Sequence, residues 1–308
     1  MSLLEVIRPG PLSLLQDAGR YGWQHLGVSP AGPMDPLAAA WANRLLGNPR
    51  GCAVLEIALG DVELEARSAL WVAFTGAEMP LSVDGSPRLN GSRFRLEAGQ
   101  RLRIGFARSG QRGYLALVGG IRAEPVLGSV ACQMRECLGG LDGSGARIGA
   151  GDLLAGEAGD FPWGASVPWP WQPDYRAAQV LRVVIGGDAA AFEEAEARAF
   201  FERAWQLSPV SDRMGARLQG PPIAAPRRQW SQGVVGGAIQ VPPDGQPIIL
   251  MADRQTMGGY PVLGWVHPLD LGRLAQCPAN QWLRFTVMSL EDAQDELRAF
   301  YRFFDGRA

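Results

Sequence analysis

Glycine and proline break this chain into short segments, and this limits the folds that it can adopt. The 308 residues include 40 glycines and 23 prolines. Proline fixes the backbone and removes an amide donor, while glycine allows tight turns, so both tend to end regular elements. Because short apolar runs lie between them, the sequence predicts many short strands joined by turns.

The apolar runs predict a mainly β protein with few helices. The predicted strands are Leu4–Arg8, Val54–Ile57, Asp61–Ala66, Leu70–Thr75, Leu81–Val83, Phe94–Leu96, Arg101–Phe106, Arg112–Val118, Leu181–Ile185, Gly237–Gln240, Ile248–Ala252 and Trp282–Val287. Asp35 and Pro36 predict one helix start, Asp188 a second helix to about Trp205, and Ser289 with Asp292 a terminal helix to about Phe304. A short helix is predicted over Leu269–Gln276.

Two halves of the chain resemble each other weakly. Trp71-Val72-Ala73 matches Leu250-Met251-Ala252, and this pair is one of four that lie in the same order in both halves, at offsets of about 179 to 181 residues. Residues 156–179, rich in proline and tryptophan, are predicted to connect a domain over 1–155 to one over 180–308. We expect two β-barrel-like domains with peripheral helices, duplicated about a pseudo-twofold axis, with a cleft where they meet.

Charge and composition exclude several function classes. The formal net charge of −2 offers no attraction for nucleic acid or an anionic membrane. No apolar run reaches the roughly 18 residues of a membrane span, and the first residues do not resemble a signal peptide. The four cysteines form no CxxC pair and there are two histidines, so no zinc pattern is present. We expect reduced cysteines in a cytoplasmic protein.

All 29 basic residues are arginine, and this excludes lysine chemistry. The chain has no P-loop lysine for nucleotide phosphates, no Schiff-base lysine, and no lysine that could carry biotin covalently. If the protein takes part in a reaction driven by ATP or by biotin, another chain supplies those parts.

The densest group of chemically useful residues follows the predicted strand Ile248–Ala252. Asp253 and Arg254 end this strand, and Gln240, Gln255 and Tyr260 lie near it in sequence. Arg254 could bind a substrate carboxylate through two hydrogen bonds, and Asp253 could act as a base or orient water. A polar turn without function remains the alternative.

Two further segments carry candidate residues. His25 lies in a glycine-rich loop where a base could reach a ligand, or where it could serve a structural role. Asp35 could bind substrate, although a helix cap is the simpler interpretation. Asp212 and Arg213 occupy the matching position in the second half; Asp212 could act as a base and Arg213 could bind substrate, or both could hold a loop.

Some motifs carry weaker signals. Gly186-Gly187-Asp188 is compatible with an anion-binding helix start. The glycine-rich segment 139–145 predicts a turn, and His267 before Pro268 predicts a turn residue. The available groups are carboxylates, arginines, amides and one or two histidines, which suit binding of a small carboxylate or amide and stabilisation of an oxyanion.

Three segments together resemble a known family. They are GVSPAGPMDPLAAAWANRLLGNP, SDRMGARLQGP and PPDGQPIILMADRQTMGGYP. They resemble the biotin-dependent carboxyltransferase-like family, which includes the carboxyltransferase domain of urea carboxylase, KipA, and the C subunit of bacterial 5-oxoprolinase (PxpC). Its members are often labelled allophanate hydrolase subunit 2. The resemblance implies a pair of cyclophilin-like β-barrel domains.

The resemblance also implies functions. One is that of the C subunit in an ATP-dependent 5-oxoprolinase, inactive alone, which opens the 5-oxoproline lactam to glutamate with a PxpB/KipI-like and a PxpA-like subunit. The assembled complex would use the ATP. The alternatives are a KipA-like regulator that binds a KipI-like kinase inhibitor, or a carboxyltransferase that uses carboxybiotin carried on another chain. The fold does not distinguish these three functions.

Overall fold

The chain forms two compact units. The computed structural model describes residues 2–306. The first unit contains the described residues up to Arg20 together with Ala31–Arg176, and the second contains Tyr21–Pro30 together with the described residues from Ala177 onward. Residues 156–176, predicted to be a connection, therefore belong to the first unit. Residues 21–30, which the sequence places in the N-terminal domain, belong to the second.

The first unit contains twelve strands in two sheets within the described residues. The strands are β1 (Ser2–Pro9), β2 (Leu12–Gln16), β3 (Val54–Ala58), β4 (Val62–Ala66), β5 (Leu70–Glu78), β6 (Leu81–Val83), β7 (Ser86–Arg88), β8 (Ser92–Leu96), β9 (Arg101–Ile104), β10 (Ser109–Leu117), β11 (Leu153–Gly156) and β12 (Ala165–Ser166). One sheet has the order β11-β1-β4-β9-β6-β7, and the other has the order β12-β8-β5-β10-β3-β2. The strands of this unit thus divide between two six-stranded sheets.

Both sheets of the first unit contribute to one hydrophobic core. In β9, buried Leu102 and Ile104 alternate with exposed Arg101 and Arg103, as expected for a strand with one face to solvent. In contrast, β5 is buried almost throughout. Its outer face is covered by helix α1 (Pro36–Leu45), and this explains why its residues 70–74 are all apolar.

The second unit contains nine strands within the described residues. They are β13 (Gln179–Ile185), β14 (Trp205–Leu207), β15 (Gly215–Gln219), β16 (Gln232–Gly233), β17 (Ala238–Gln240), β18 (Ile248–Leu250), β19 (Met257–Gly258), β20 (Val262–Val266) and β21 (Trp282–Val287). Seven of them close a barrel in the order β13-β20-β17-β18-β15-β14-β21, and β16 pairs with β19. The mainly β class and a closed barrel are thus confirmed.

One strand pair in the barrel is parallel. Strand β13 runs alongside β21, with Gln179 opposite Leu283 and Val183 opposite Val287. The other pairings around the barrel are antiparallel. Because the parallel partners lie about a hundred residues apart in the chain, the barrel is closed by a long-range contact.

Within the described part of this unit, three α-helices accompany the barrel: α2 (Glu194–Glu202), α3 (Pro268–Ala275) and α4 (Leu290–Asp305). The predicted terminal helix is confirmed, since the Ser289 side chain accepts a hydrogen bond from the Asp292 amide at its start. The prediction that Asp188 begins a helix to about Trp205 is wrong. A three-residue 3-10 helix, Ala189–Ala191, follows Asp188, whose side chain makes no cap, and α2 begins only at Glu194.

The strand that precedes the predicted site is shorter than expected. Strand β18 ends at Leu250, whereas the sequence predicts a strand to Ala252. The Met251 carbonyl accepts a hydrogen bond from the Arg254 amide, so the chain turns immediately after β18. The turn is what places Asp253 and Arg254 at the end of the barrel strand. Among the residues that the structure describes, no helix is both long and apolar enough to cross a membrane.

Candidate functional site

Arg213 and Asp253 form a buried ion pair in the second unit. Arg213 Nε donates to Asp253 Oδ2 and Arg213 Nη2 donates to Asp253 Oδ1, both at 2.8 Å. The Asp253 amide also donates to the Arg213 carbonyl at 2.8 Å. These bonds join the turn after β18 to the loop before β15. Two candidate segments far apart in sequence therefore form one structure.

Asp212 shapes the same loop. Its Oδ1 accepts hydrogen bonds from the amides of Met214 at 2.8 Å and of Gly215 at 3.1 Å. A carboxylate that accepts from amides two and three residues onward stabilises a tight turn. For Asp212, this geometry favours the loop-holding alternative. For Asp253, both carboxylate oxygens are engaged by Arg213, which favours a positioning role.

Arg254 has a different environment from Arg213. Its side chain is 8% exposed, and among the described residues it forms no ion pair. Its Nε has no hydrogen-bond partner, while Nη1 lies 3.5 Å from the Met251 carbonyl oxygen. Burial lowers the pKa of the Arg254 guanidinium, an effect that the nearby Tyr21 opposes. Arginine stays protonated even so, and a bound anion would compensate for its lost hydration.

Gln240 is a second buried polar group in this region. It lies at the end of β17, is 1% exposed, and its side-chain Nε2 has no hydrogen-bond partner. A Cβ atom added to Gly258 would lie 2.3 Å from that nitrogen. Glycine at position 258 therefore leaves room for the Gln240 amide. Buried amides without a partner are rare, so Gln240 is a candidate ligand-binding group.

The remaining candidates of the second unit are exposed. Gln255 and Tyr260 lie on the surface, and the Tyr260 carbonyl accepts a hydrogen bond from Arg228 Nη1. His25 lies, also exposed, on the 3-10 helix Gln24–Leu26. That Gln255 and Tyr260 bind substrate, and that His25 acts as a catalytic base, stay predictions.

Asp35 belongs to the first unit and caps α1, as the simpler interpretation predicts. Its Oδ1 accepts from the Ala38 amide at 3.0 Å, and its Oδ2 accepts from the Tyr175 hydroxyl at 3.1 Å. The Asp35 amide donates to the Tyr114 hydroxyl, which in turn donates to Glu56 Oε2, both at 2.8 Å. Sequence reasoning missed Glu56, Tyr114 and Tyr175, because no local pattern joins residues so far apart.

Both tyrosines of this network are neutral groups at ordinary pH. Burial, followed by the charges of Glu56 and Asp35, raises the pKa of the Tyr114 phenol well above 10.0. Burial and then Asp35 raise the pKa of Tyr175 in the same direction. Each phenol therefore keeps its proton and donates a hydrogen bond to a buried carboxylate.

Asp188 and Arg228 form an ion pair that the sequence does not reveal. Arg228 Nη1 donates to Asp188 Oδ2 at 2.9 Å, and the Val262 amide donates to the same oxygen at 2.8 Å. A helix of three residues follows Asp188, which is too short for an anion-binding N-terminus, so the weak signal at Gly186-Gly187-Asp188 gains no support. His267 is buried, with Nε2 3.2 Å from the Ala293 carbonyl oxygen.

Burial makes two of the cysteine thiols weak acids. All four cysteines are free. Burial raises the pKa of Cys277 to about 12 and that of Cys52 above its usual 9.0, so neither thiol ionises readily at neutral pH. Within residues 2–306, no cluster of three histidine, cysteine or acidic side chains could hold a metal ion.

Comparison with known proteins identifies the class to which this fold and site belong. The model of the carboxyltransferase domain, subdomains A and B, matches residues 26–287. The chain therefore belongs to the carboxyltransferase domain family, as the three sequence segments suggested.

Particular relatives refine this assignment. The chain is 36% identical to the 5-oxoprolinase C subunit of Escherichia coli, over 97% of this chain and 96% of that protein. It is 33% identical to the 5-oxoprolinase C subunit of Haemophilus influenzae, over 94% and 93%. The crystal structure of Kluyveromyces lactis urea carboxylase superposes with a TM-score of 0.91 at 25% identity. The match covers 99% of this chain but 29% of the urea carboxylase chain.

Proposed function

We propose that this chain is the C subunit of a 5-oxoprolinase, which opens the lactam ring of 5-oxoproline to give glutamate. One observation carries the proposal: the chain aligns over nearly its whole length with bacterial proteins of that name, and they align over nearly their whole length with it. A shared domain within a larger enzyme would not give such two-sided coverage.

The site chemistry supports the same substrate class. 5-Oxoproline carries a carboxylate beside a cyclic amide. Arg254 offers a buried positive charge without a carboxylate partner in the described residues, which suits the substrate carboxylate. Gln240 offers a buried amide nitrogen without a partner, which suits a carbonyl oxygen. The Arg213–Asp253 ion pair would hold in position the turn after β18, which contains Arg254.

The energy source in this proposal lies outside the chain. Hydrolysis of the lactam adds water across the C–N bond and releases the amine of glutamate. ATP would activate the lactam oxygen by phosphorylation, and water would then add to the same carbon. The C–N bond breaks as the nitrogen takes a proton and becomes the amine, which leaves an acyl phosphate that a second water hydrolyses to glutamate and phosphate. Since the chain has no lysine to bind nucleotide phosphates in a P-loop, we assign ATP use to the assembled complex. The partners would be a PxpB-like and a PxpA-like subunit, all in the cytoplasm.

Reconstitution tests the proposal. The chain and its two candidate partner subunits are purified separately, and glutamate release from 5-oxoproline is measured with ATP for each subunit alone and for each mixture. We expect no release from this chain alone and ATP-dependent release from the complete set. Failure of every mixture to release glutamate, with each partner shown to be folded, would reject the function.

Two arginine variants then test the site. Arg254→Lys keeps the positive charge but cannot form bidentate hydrogen bonds to a carboxylate. We therefore expect KM for 5-oxoproline to rise at least about tenfold. Arg284→Lys makes the same change on the exposed side of β21 and should leave KM unchanged. If both variants had the same KM, Arg254 would not be a substrate-binding residue, and the proposed function of the chain would be unaffected.

A second function has a specific observation in its favour. The matching family model is described as a carboxyltransferase domain, and the fold superposes on urea carboxylase. A carboxyltransferase would take carboxybiotin from another chain, because this one has no lysine to carry biotin. Incubation with a carboxylated biotin carrier and urea distinguishes the two functions, since carboxylation of urea without glutamate release would favour the carboxyltransferase.

A further inference from the structure

A solvent-connected cavity of about 490 Å³ lies wholly within the first unit. Its volume is that of an ordinary small-molecule site, roughly 300–1,000 Å³. It opens beside α1, which contributes Leu37, Ala38 and Trp41 to its wall. None of the residues proposed above for 5-oxoproline lines it, so the proposed function leaves this cavity without a role.

Residues 167–176 form one wall of the cavity. Two hydrogen bonds attach this segment to the rest of the unit: the Val167 amide donates to the Gly91 carbonyl at 2.7 Å, and the Tyr175 hydroxyl donates to Asp35 at 3.1 Å. A third bond, from Gln172 Nε2 to the Val167 carbonyl at 2.8 Å, lies within the segment. A wall with these attachments exists before any ligand arrives, which reduces the entropy cost of binding.

Aromatic rings dominate the lining. Trp41 and Trp171 approach each other with ring centroids 6.4 Å apart and planes tilted by 54°, and Trp169 and Tyr175 also line the cavity. The Tyr175 hydroxyl donates a hydrogen bond to the Asp35 carboxylate, and this bond makes the tyrosine ring richer in electrons. Rings of this kind attract a cation placed over their faces.

The charges around the cavity favour the same ligand. Glu78 and Asp174 are the acidic residues of the lining and Arg176 is its basic residue, and the Arg176 guanidinium is paired with Glu78. The formal charge of the lining is therefore −1. An anion would meet this charge unfavourably, whereas a cation would gain both from it and from the tryptophan faces.

From the aromatic walls and the net negative lining, we infer that this cavity binds an organic cation, with a quaternary ammonium or guanidinium head group against Trp41 and Trp171. The rings would shield the head group, and the Asp174 carboxylate in the same lining would attract its charge.

Choline and its neutral isostere 3,3-dimethylbutan-1-ol test the inference on the wild-type protein. The two have the same shape and differ in charge. Saturation-transfer NMR on their methyl signals should show that choline binds about tenfold more tightly than the isostere. Only choline carries the positive charge that the tryptophan faces and the carboxylates attract. Equal affinity, or no binding of choline at tens of millimolar, would overturn the inference. Neither measurement needs ATP or a partner subunit, so its outcome is independent of the proposed function.

Matched tryptophan variants locate the site. Trp171→Leu removes a ring from the cavity wall, and we expect choline affinity to fall about fivefold or more. Trp163→Leu removes an exposed tryptophan that does not line the cavity and should leave the affinity unchanged. Asp174→Asn should weaken choline but not the neutral isostere. Equal effects of the two tryptophan variants would place choline elsewhere.

Discussion

Arg213 and Asp253, forty residues apart in the chain, are joined by two hydrogen bonds of 2.8 Å, and their side chains are 11% and 10% exposed. Removing one member of such a pair leaves a buried charge without its partner. We predict that Asp253→Asn or Arg213→Ala lowers the free energy of unfolding by about 3–5 kcal/mol, as measured by urea denaturation. The double variant Arg213→Met with Asp253→Leu should recover much of this loss.

The exposed ion pair between Arg298 and Asp295 supplies the control. Arg298→Ala should leave the urea midpoint nearly unchanged, because exposed pairs contribute little. A loss at Arg298 as large as that at Arg213 would show that burial does not determine the difference.

The hydrogen bond from Tyr175 to Asp35 fixes one end of residues 167–176. Tyr175→Phe removes it and leaves a buried carboxylate oxygen with one hydrogen bond fewer. We expect a loss of about 1–3 kcal/mol in the free energy of unfolding and faster amide exchange over 167–176, measured by hydrogen–deuterium exchange mass spectrometry. Tyr301→Phe, an equivalent change at a half-exposed ring, should leave exchange in this segment as it is.

Cys277 makes stability depend on pH in the alkaline range. Its thiol has an ordinary pKa of 9.0, which burial raises to about 12 in the folded chain. Between these two pH values the unfolded chain binds fewer protons than the folded chain. The contribution of Cys277 to the free energy of unfolding is therefore fully present below about pH 9 and is lost as the pH rises, by at most about 1.4 kcal/mol per pH unit. Urea titrations from pH 8 to 11 measure how the free energy of unfolding declines with pH. This decline should be shallower for Cys277→Ala than for the wild-type chain, and the same as wild type for Cys137→Ala, which changes an exposed cysteine.

Gly139 is required by close packing as well as by its backbone conformation. Its φ is +69°, and a Cβ atom there would lie 2.1 Å from the Ala131 carbonyl oxygen. Gly128 has a φ of +81° but no atom within 4 Å of its hypothetical Cβ. Both alanine variants incur about 1–2 kcal/mol of backbone strain, and we expect Gly139→Ala to lose at least about 2 kcal/mol more by thermal unfolding. Equal losses would mean that the loop shifts to accommodate the methyl group.

Local chemistry explains which parts of the fold could be predicted. Helices α1 and α4 begin where the sequence indicates, because Asp35 and Ser289 bond to amides three residues away. The bounds of β21 match the prediction because buried and exposed residues alternate along its first half. Signals of this kind lie within one element and need no tertiary information.

Long-range partners explain the rest. Asp188 resembles a helix cap, but Arg228 and the Val262 amide bind its carboxylate. Tyr175 lies in a segment predicted to be a connection, yet it bonds to Asp35 across 140 residues. At the candidate site, the sequence predicted Asp253 and Arg254 by residue type. It could not show that Arg213 pairs with Asp253, or that Arg254 has no carboxylate partner among the described residues.

The parallel pairing of β13 with β21 has a consequence for how the protein is made. Until Val287 has left the ribosome, the nascent second unit lacks the strand that lies between β13 and β14. Both of those strands then expose unpaired backbone edges, to which another nascent chain could add. The interval before β21 emerges is thus the one in which this unit is most exposed to co-translational aggregation.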